Sequence, residues 1–547
     1  MSGRLVNSVV FLVCLLSNLF GFEGAYAADK PRKFIFLIHG LNGNAQTFGK
    51  LDSILEEHGS LIQKGTEIKV FPLAYDTGRD GRTPYDFAVD VGIKIIDKIG
   101  DLRSSDQITF VAHSQGGLIS WILLLRSLAN DDEFLFFRPY ALKTDGLITL
   151  GSPMWGSKMA DLMSDSEILR KLARKANARL GDRELNEMSY SSDTSVRFSR
   201  RAAMMERMGI KLPFRVQSVA GLLPERNDPD LKNGLSTFQQ ITKRSMLGGF
   251  QAVFGLGWNK RAESDLAVAI PSARADFIHL KDPESAKKNQ VLASDFGNFK
   301  DPSIRELVIV RGAHASMNKK QYYDIAEVPE ECRDLRSPCT HPTYGLILQF
   351  AMECTAKNQN CSQNEHRRLT NFFLESPDFK KRTHVDGHPN IERMHLFTMM
   401  MVFQMPENYS MPKESDEIEN SIFFPEPQTK WAQIDFPFPE RRIYNPQESR
   451  YYFLLKRGLE IDDVVTHMTH DYEDNLSPAA SPKQLRITFQ GQVYAQDGQH
   501  ETYKKLLKDG FKLPFMVKIP GIRDPRYVEA LVRPTYSTFI DLDFRQQ

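Results

Sequence analysis

The stretch Ile108-Thr109-Phe110-Val111-Ala112-His113-Ser114-Gln115-Gly116-Gly117, with the run Leu118 to Leu128 behind it, constrains this chain most. A short apolar segment stops at a histidine and a serine, two small residues follow the next position, and an almost wholly apolar segment of helical length comes after. A strand that turns tightly into a helix apolar nearly all round is the connection expected at the centre of a mostly parallel sheet with helices on both faces. Small residues at Ala112 and Gly116 let the backbone bend sharply. Such a bend holds the Ser114 hydroxyl out at the carboxyl end of the strand, and the N–H of Gln115, at the helix start, faces any negative charge that develops beside it. The bland alternative is an ordinary strand-to-helix turn, and a bare small-x-Ser-x-Gly match does not separate the two.

The surrounding pattern supports the sheet. Strands are predicted at residues 34–39, 68–74, 108–113, 147–151, 216–220 and 307–310, alternating with helical segments. Between the second and third, Thr83 can cap a helix with Pro84 at its first position, and Ala88, Val91, Ile95, Ile99 and Leu102 form one apolar stripe. The first strand runs into Ile38-His39-Gly40-Leu41-Asn42-Gly43, a glycine-rich loop that can bring a second backbone N–H, that of Leu41, to the same place as Gln115. Losing one such donor costs about 3 kcal/mol of barrier, so a pair matters.

At 547 residues the chain should hold two or three domains. Seventy basic and 69 acidic side chains give a net charge of +1, which supplies no field to gather nucleic acid. Residues 1–27 combine Arg4, an apolar run from Val9 to Phe20 and Ala25-Tyr26-Ala27, the pattern of a cleaved secretory signal, so a secreted or periplasmic location is expected. The rival reading, a membrane anchor, needs about 20 apolar residues rather than about a dozen. Four cysteines remain after cleavage, Cys332, Cys339, Cys354 and Cys361, as two C-x6-C pairs. Six intervening residues suit zinc poorly, so disulfides are expected. The simplest pairing is Cys332 with Cys339 and Cys354 with Cys361, although four cysteines allow three pairings.

Residues 155–210 read as a lid-like insertion, in which 166–180 is amphipathic. The basic face of that segment offers contact with an anionic membrane surface, and a merely solvated face is the competing reading. The apolar, glycine-bearing segment 246–258 suits either a mobile wall for an apolar ligand or an ordinary packed loop. The strand-and-helix alternation marks a catalytic domain over 28–365, and the prolines and short alternating strands beyond it mark a β-rich C-terminal domain over 366–547, of unassigned role. His384 with His388 and His467 with His470 have spacings a metal could use on a helix, but the sequence around them is loop-like or strand-like, so no metal site is assigned.

Taken together, Ile38-His39-Gly40, Ala112 to Gly117 and Thr149-Leu150-Gly151-Ser152-Pro153-Met154-Trp155-Gly156-Ser157 resemble the lipase branch of the α/β-hydrolases, and are similar to the serine esterases that include GPI inositol deacylases. The resemblance spans about residues 33–320 and departs from the usual motif in having Ala112 where glycine is commonest. It implies an α/β-hydrolase fold, with a serine, then an acid, then a histidine in chain order. Carried onto this sequence, the acid is Asp265 in Ser264-Asp265-Leu266 and the histidine is His314 in Gly312-Ala313-His314. The competitors are Asp228, Asp230 and Asp276 for the acid, and His279 for the base. The implied activity is carboxylic-ester hydrolysis on a lipid or other ester substrate, which requires no metal or organic cofactor. A surface or carbohydrate-binding protein carrying an inactive hydrolase-like domain is the alternative, and the presence of both serine and histidine in suitable contexts weighs against it.

Overall fold

A computed structural model describes residues 30–79, 81–165, 181–190, 192–207, 211–222, 263–265, 267–281, 297–299, 303–314, 324–355, 360–385, 394, 396–409, 421–425, 431–435, 459–469, 484–493, 509–519, 522 and 526–545. The first sheet contains β1 (Arg32–Ile38), β2 (Glu67–Leu73), β3 (Gln107–His113), β4 (Thr144–Leu150), β5 (Arg215–Leu222), β8 (Val308–Arg311) and β9 (Thr383–Val385). Their spatial order is β2-β1-β3-β4-β5-β8-β9, parallel throughout except for the β8–β9 pair. Central strands in such a sheet are buried on both faces, and β1 shows why five of its seven residues, Phe34 to Ile38, are apolar. Phe34, Phe36 and Ile38 enter one core, whereas Ile35 and Leu37 enter the other.

One face is covered by α2 (Pro84–Ile99) and α3 (Gln115–Leu128), the other by α1 (Leu51–Ile62), α8 (Tyr344–Ala351) and α9 (Gln363–Leu374). The start of α2 carries the expected cap: the Thr83 hydroxyl accepts from the Asp86 N–H, and the Asp86 carboxylate accepts from the Thr83 N–H. Helix α4 (Arg138–Lys143) leads into β4, and the insertion after β4 contributes α5 (Lys158–Asp165), α6 (Asp182–Glu187) and α7 (Asp193–Arg207). The segments 166–180 and 246–258 lie outside the described residues, as do residues 1–29, Asp228, Asp230, His388 and His470. Helix α10 (Pro377–Arg382) leads into β9.

Two further sheets follow. One has the order β13-β14-β10-β17-β6-β7, built from β6 (Phe277–Lys281), β7 (Gly297–Phe299), β10 (Leu396–Gln404), β13 (Leu459–Thr469), β14 (Gln484–Val493) and β17 (Ser537–Asp543). The other has the order β12-β11-β15-β16, from β11 (Ser421–Pro425), β12 (Trp431–Asp435), β15 (Phe511–Lys518) and β16 (Arg526–Val532). Strand β10 is apolar along both sides because both are covered: Met400 and Val402 join the core on one face of the first sheet, while Met399, Met401 and Phe403 pack with Phe515, Val517 and Val528 of the third sheet.

The sheets do not divide at 365/366, the boundary expected from sequence. Helix α9 packs on the first sheet and β9 extends it, whereas β6 and β7, from the middle of the chain, belong to the second. The physical reason is pairing: β6 lies parallel to β17, with Ile278 opposite Thr538 and Leu280 opposite Ile540. Across this junction the Trp155 ring meets Phe277 at 4.7 Å and Phe539 at 6.4 Å, so one core runs through both parts. Two disulfides close short loops, Cys332–Cys339 and Cys354–Cys361. Among the described residues no helix is long and apolar enough to cross a membrane.

Candidate active site

Ser114 sits between β3 and α3 with φ 53° and ψ −130°, a backbone conformation that non-glycine residues rarely adopt. The surroundings enforce the bend. A Cβ on Gly116 would stand 2.2 Å from the Ile38 carbonyl oxygen and 2.5 Å from that of His39, so only glycine lets the turn nest against the end of β1. The Ser114 N–H donates to the Leu150 carbonyl at 2.9 Å, tying the bend to β4. Ala112 is fully buried in the core, so a methyl is accommodated at that position.

The hydroxyl of Ser114 lies 2.7 Å from Nε2 of His314, and Nδ1 of His314 lies 2.8 Å from Oδ2 of Asp265. A carboxylate only accepts, so Nδ1 carries the ring proton and Nε2 is free to receive one from the serine. Asp265 has no exposed surface, and its other oxygen, Oδ1, accepts from the backbone N–H groups of Ala267 at 3.0 Å and Val268 at 2.8 Å. The His314 N–H donates to the Asp265 carbonyl at 3.1 Å, so the acid and the imidazole are also linked through backbone. Burial works to lower the His314 pKa, but the charge and hydrogen bond of Asp265 and the charge of Asp324 outweigh it and leave the imidazole raised.

Beside it the His113 ring lies 4.8 Å away, with Nε2 2.9 Å from the His314 carbonyl oxygen. Burial, followed by the repulsion of His314, pushes the pKa of His113 down to about 4. His113 is therefore a neutral wall of the site near neutral pH. It precedes the serine in the sequence, yet nothing in its spacing distinguishes a wall from a base.

Gly40 lies against the serine: a Cβ there would stand 2.4 Å from Ser114 Cβ and 2.9 Å from Oγ. The next residue along this loop is Leu41, and across the serine is Gln115, whose N–H is the first of α3 and has no acceptor within the helix. Of the other candidates, Asp276 is engaged by Arg274 through two contacts of 2.9 and 2.8 Å, and His279 stacks on Phe539 in the second sheet.

The acid is held partly from the C-terminal region, which the sequence did not disclose. The Leu396 N–H donates to Glu263 Oε2 at 2.9 Å, the Ser537 hydroxyl donates to the Pro271 carbonyl at 2.9 Å, and the guanidinium of Arg274 lies 3.6 Å from the centre of the Tyr536 ring. The segment bearing Asp265 is thus pinned at Glu263, Pro271 and Arg274.

Residues 28–196 match a family described as "Putative serine esterase (DUF676)". Among solved structures the chain is similar to phospholipase PlaB from Legionella pneumophila, with a TM-score of 0.55 and 14% identity over 94% of this chain and 93% of that one. The same phospholipase in complex with thio-NAD gives a TM-score of 0.52 and 13% identity, with 93% of each chain covered. No curated protein matches the chain. In fold, the chain is an α/β-hydrolase with a second, β-rich part, and residues 28–196, about a third of its length, match the serine-esterase family model.

Proposed function

We propose that this chain is an exported serine carboxylic-ester hydrolase of lipase or phospholipase type, working through an acyl-enzyme on Ser114. The observation that carries the reading is the unbroken hydrogen-bonded series from Ser114 Oγ through His314 to a buried Asp265, at a turn that forces the hydroxyl outward. In this mechanism Ser114 Oγ attacks the ester carbonyl carbon as its proton passes to His314 Nε2. Leu41 and Gln115 donate their backbone N–H groups to the oxyanion. Collapse of the tetrahedral species breaks the bond to the alkoxy group, which takes the proton from His314 and leaves as the alcohol. His314 then takes a proton from a water that attacks the acyl carbon, and as the bond from that carbon to Ser114 Oγ breaks it returns the proton to Oγ, releasing the acid and restoring Ser114.

The family description and the phospholipase likeness support an ester substrate, and the lipid class follows from that likeness together with the apolar segment 246–258. Export rests on the signal-like residues 1–27 and agrees with the two disulfides. Contact with a membrane surface rests on the basic face of 166–180.

A fluorophosphonate probe tests the chemistry. The wild type should label covalently and Ser114→Ala should not; equal labelling of the two would sink the proposal. A panel of p-nitrophenyl esters of rising acyl length, assayed beside phospholipid vesicles, tests the substrate class, and a preference for the shortest acyl would reject the lipid reading.

A further inference from the structure

One buried carboxylate outside the serine series bridges the insertion and the loops that surround the nucleophile. Glu184 on α6 has no exposed surface, and its Oε1 accepts from Nε2 of Gln115 at 2.7 Å while its Oε2 accepts from the backbone N–H of Gly78 at 2.7 Å. The Gln115 side-chain oxygen lies 3.2 Å from the Tyr75 hydroxyl, which in turn lies 2.7 Å from the His39 carbonyl oxygen. The Tyr75 and His39 rings stack at 4.3 Å, and the Tyr75 N–H donates to His39 Nε2 at 3.3 Å. The chain just before α6 is docked as closely: a Cβ on Gly181 would stand 2.5 Å from the Arg79 carbonyl oxygen. Glu184 therefore ties together the turn at Gln115, the 39–41 loop and the loop between β2 and α2.

We propose that the ionised Glu184 carboxylate is a positioning residue that latches the insertion onto these loops and so keeps the Leu41 and Gln115 N–H groups aligned on the oxyanion. This rests on the hydrolase reading above. Both groups facing the carboxylate are N–H donors, a pattern that only the ionised form satisfies. A protonated carboxyl would set its own O–H against one of them, and that contact must open.

Among the described residues, the titratable groups electrostatically linked to Glu184 are Tyr75 and Arg82. Tyr75 faces it from beyond the end of β2, and Arg82, held by Asp90 at 2.7 Å, acts on it from the loop before α2. Helix α3 offers the neutral Gln115, and on α6 Glu187 turns instead to the Thr194 N–H and hydroxyl. Burial pushes the Glu184 pKa up to about 7, against the hydrogen bonds from Gln115 and Gly78 and the charge of Arg82. The latch therefore opens as pH falls through the neutral range, beside the separate protonation of His314.

The test is the pH profile of ester hydrolysis by the full chain, wild type against Glu184→Gln, with fluorophosphonate labelling of Ser114 as the control for the underlying reading. At pH 8 the variant should lose about 10- to 100-fold in kcat with KM little changed, short of the 10²- to 10³-fold typical of outright loss of an oxyanion donor. On the acid side, log kcat/KM in the wild type should fall more steeply than one unit per pH unit below about pH 7, and in Glu184→Gln with a slope of one, from His314 alone. Should that variant fail to fold, amide exchange in the wild type gives the same answer: the Gly78 N–H should lose protection as pH drops through about 7, after correction for intrinsic exchange. Identical profiles in the two proteins, or Gly78 protection independent of pH, would overturn the latch while leaving the hydrolase reading intact. Absence of both hydrolysis and labelling in the wild type would overturn both.

Discussion

Replacing Asp265 by asparagine changes one atom of a side chain whose surroundings dictate how the amide must sit. Oδ1 of Asp265 receives two backbone N–H groups, from Ala267 and Val268, so in the variant the amide oxygen is held at that position. The NH2 group then takes the place of Oδ2, 2.8 Å from His314 Nδ1, and a donor there requires Nδ1 to become an acceptor. The ring proton moves to Nε2, the atom 2.7 Å from Ser114 Oγ, and the imidazole can no longer take the serine's proton. The expected loss in kcat is about 10⁴-fold, or roughly 5 kcal/mol of barrier, the size seen when a catalytic histidine is held in the wrong tautomer.

The pH dependence supplies an independent check. On the proposed reading, the raised His314 pKa means that activity should fall as pH drops into the range where the imidazole takes up a proton. In Asp265→Asn the charge and charged hydrogen bond that raise it are gone while burial still lowers it, so the acid limb of the residual activity should move to lower pH. Stopped-flow or steady-state hydrolysis of a p-nitrophenyl ester between about pH 5 and 9 measures both effects. Retention of more than about a tenth of wild-type kcat, or an acid limb that stays in place, would refute the assignment of Asp265 and of the tautomer.

Gly40→Ala should cut kcat by about 10²-fold or more without abolishing the fold, because its Cβ would stand 2.4 Å from Ser114 Cβ and the reacting groups must separate; wild-type rates of fluorophosphonate labelling would contradict this. Arg274→Ala leaves Asp276 buried without its partner and should cost about 3 to 5 kcal/mol in urea unfolding, with a loss of kcat from loosening of the Asp265 segment. The pair Arg274→Met with Asp276→Leu should recover most of the stability, and an unchanged urea midpoint for the single variant would count against the role given to Arg274. Reducing Cys332–Cys339 and Cys354–Cys361 should each remove roughly 2 to 3 kcal/mol through loop entropy, lowering the urea midpoint in dithiothreitol. No shift in that midpoint would show that the two loops are already constrained in the unfolded chain.

The parallel sheet was legible in the sequence because its information is local. Each strand from β1 to β5 is a short apolar run bounded by turn residues, and Thr83-Pro84 announces α2 by chemistry confined to four positions. The bend at Ser114 is likewise written into Ala112, Gly116 and their neighbours. Asp265 and His314 were reached through resemblance, since nothing local separates Asp265 from other loop aspartates; what distinguishes it is burial beneath Gly151 and Gly221 and two backbone donors. The pairing of β6 with β17 had no such signature. Parallel partners 260 positions apart, Ile278 and Thr538, share no turn, and the alternating residues of β17 read equally well as part of a separate domain. Glu184 was missed for a related reason: in Gly181-Asp182-Arg183-Glu184-Leu185 it looks like any solvated residue of a short helix, and only the fold reveals that Gln115 and Gly78 aim donors at it.

The brace on the Asp265 segment comes from later in the chain. The segment that presents Asp265 is braced by Leu396 and Ser537, so a nascent chain that has emerged only as far as His314 carries Ser114, Asp265 and His314 without that brace. On the proposed reading, the alignment of Asp265 with His314 would be complete only once Ser537–Asp543 has slotted in between β10 and β6.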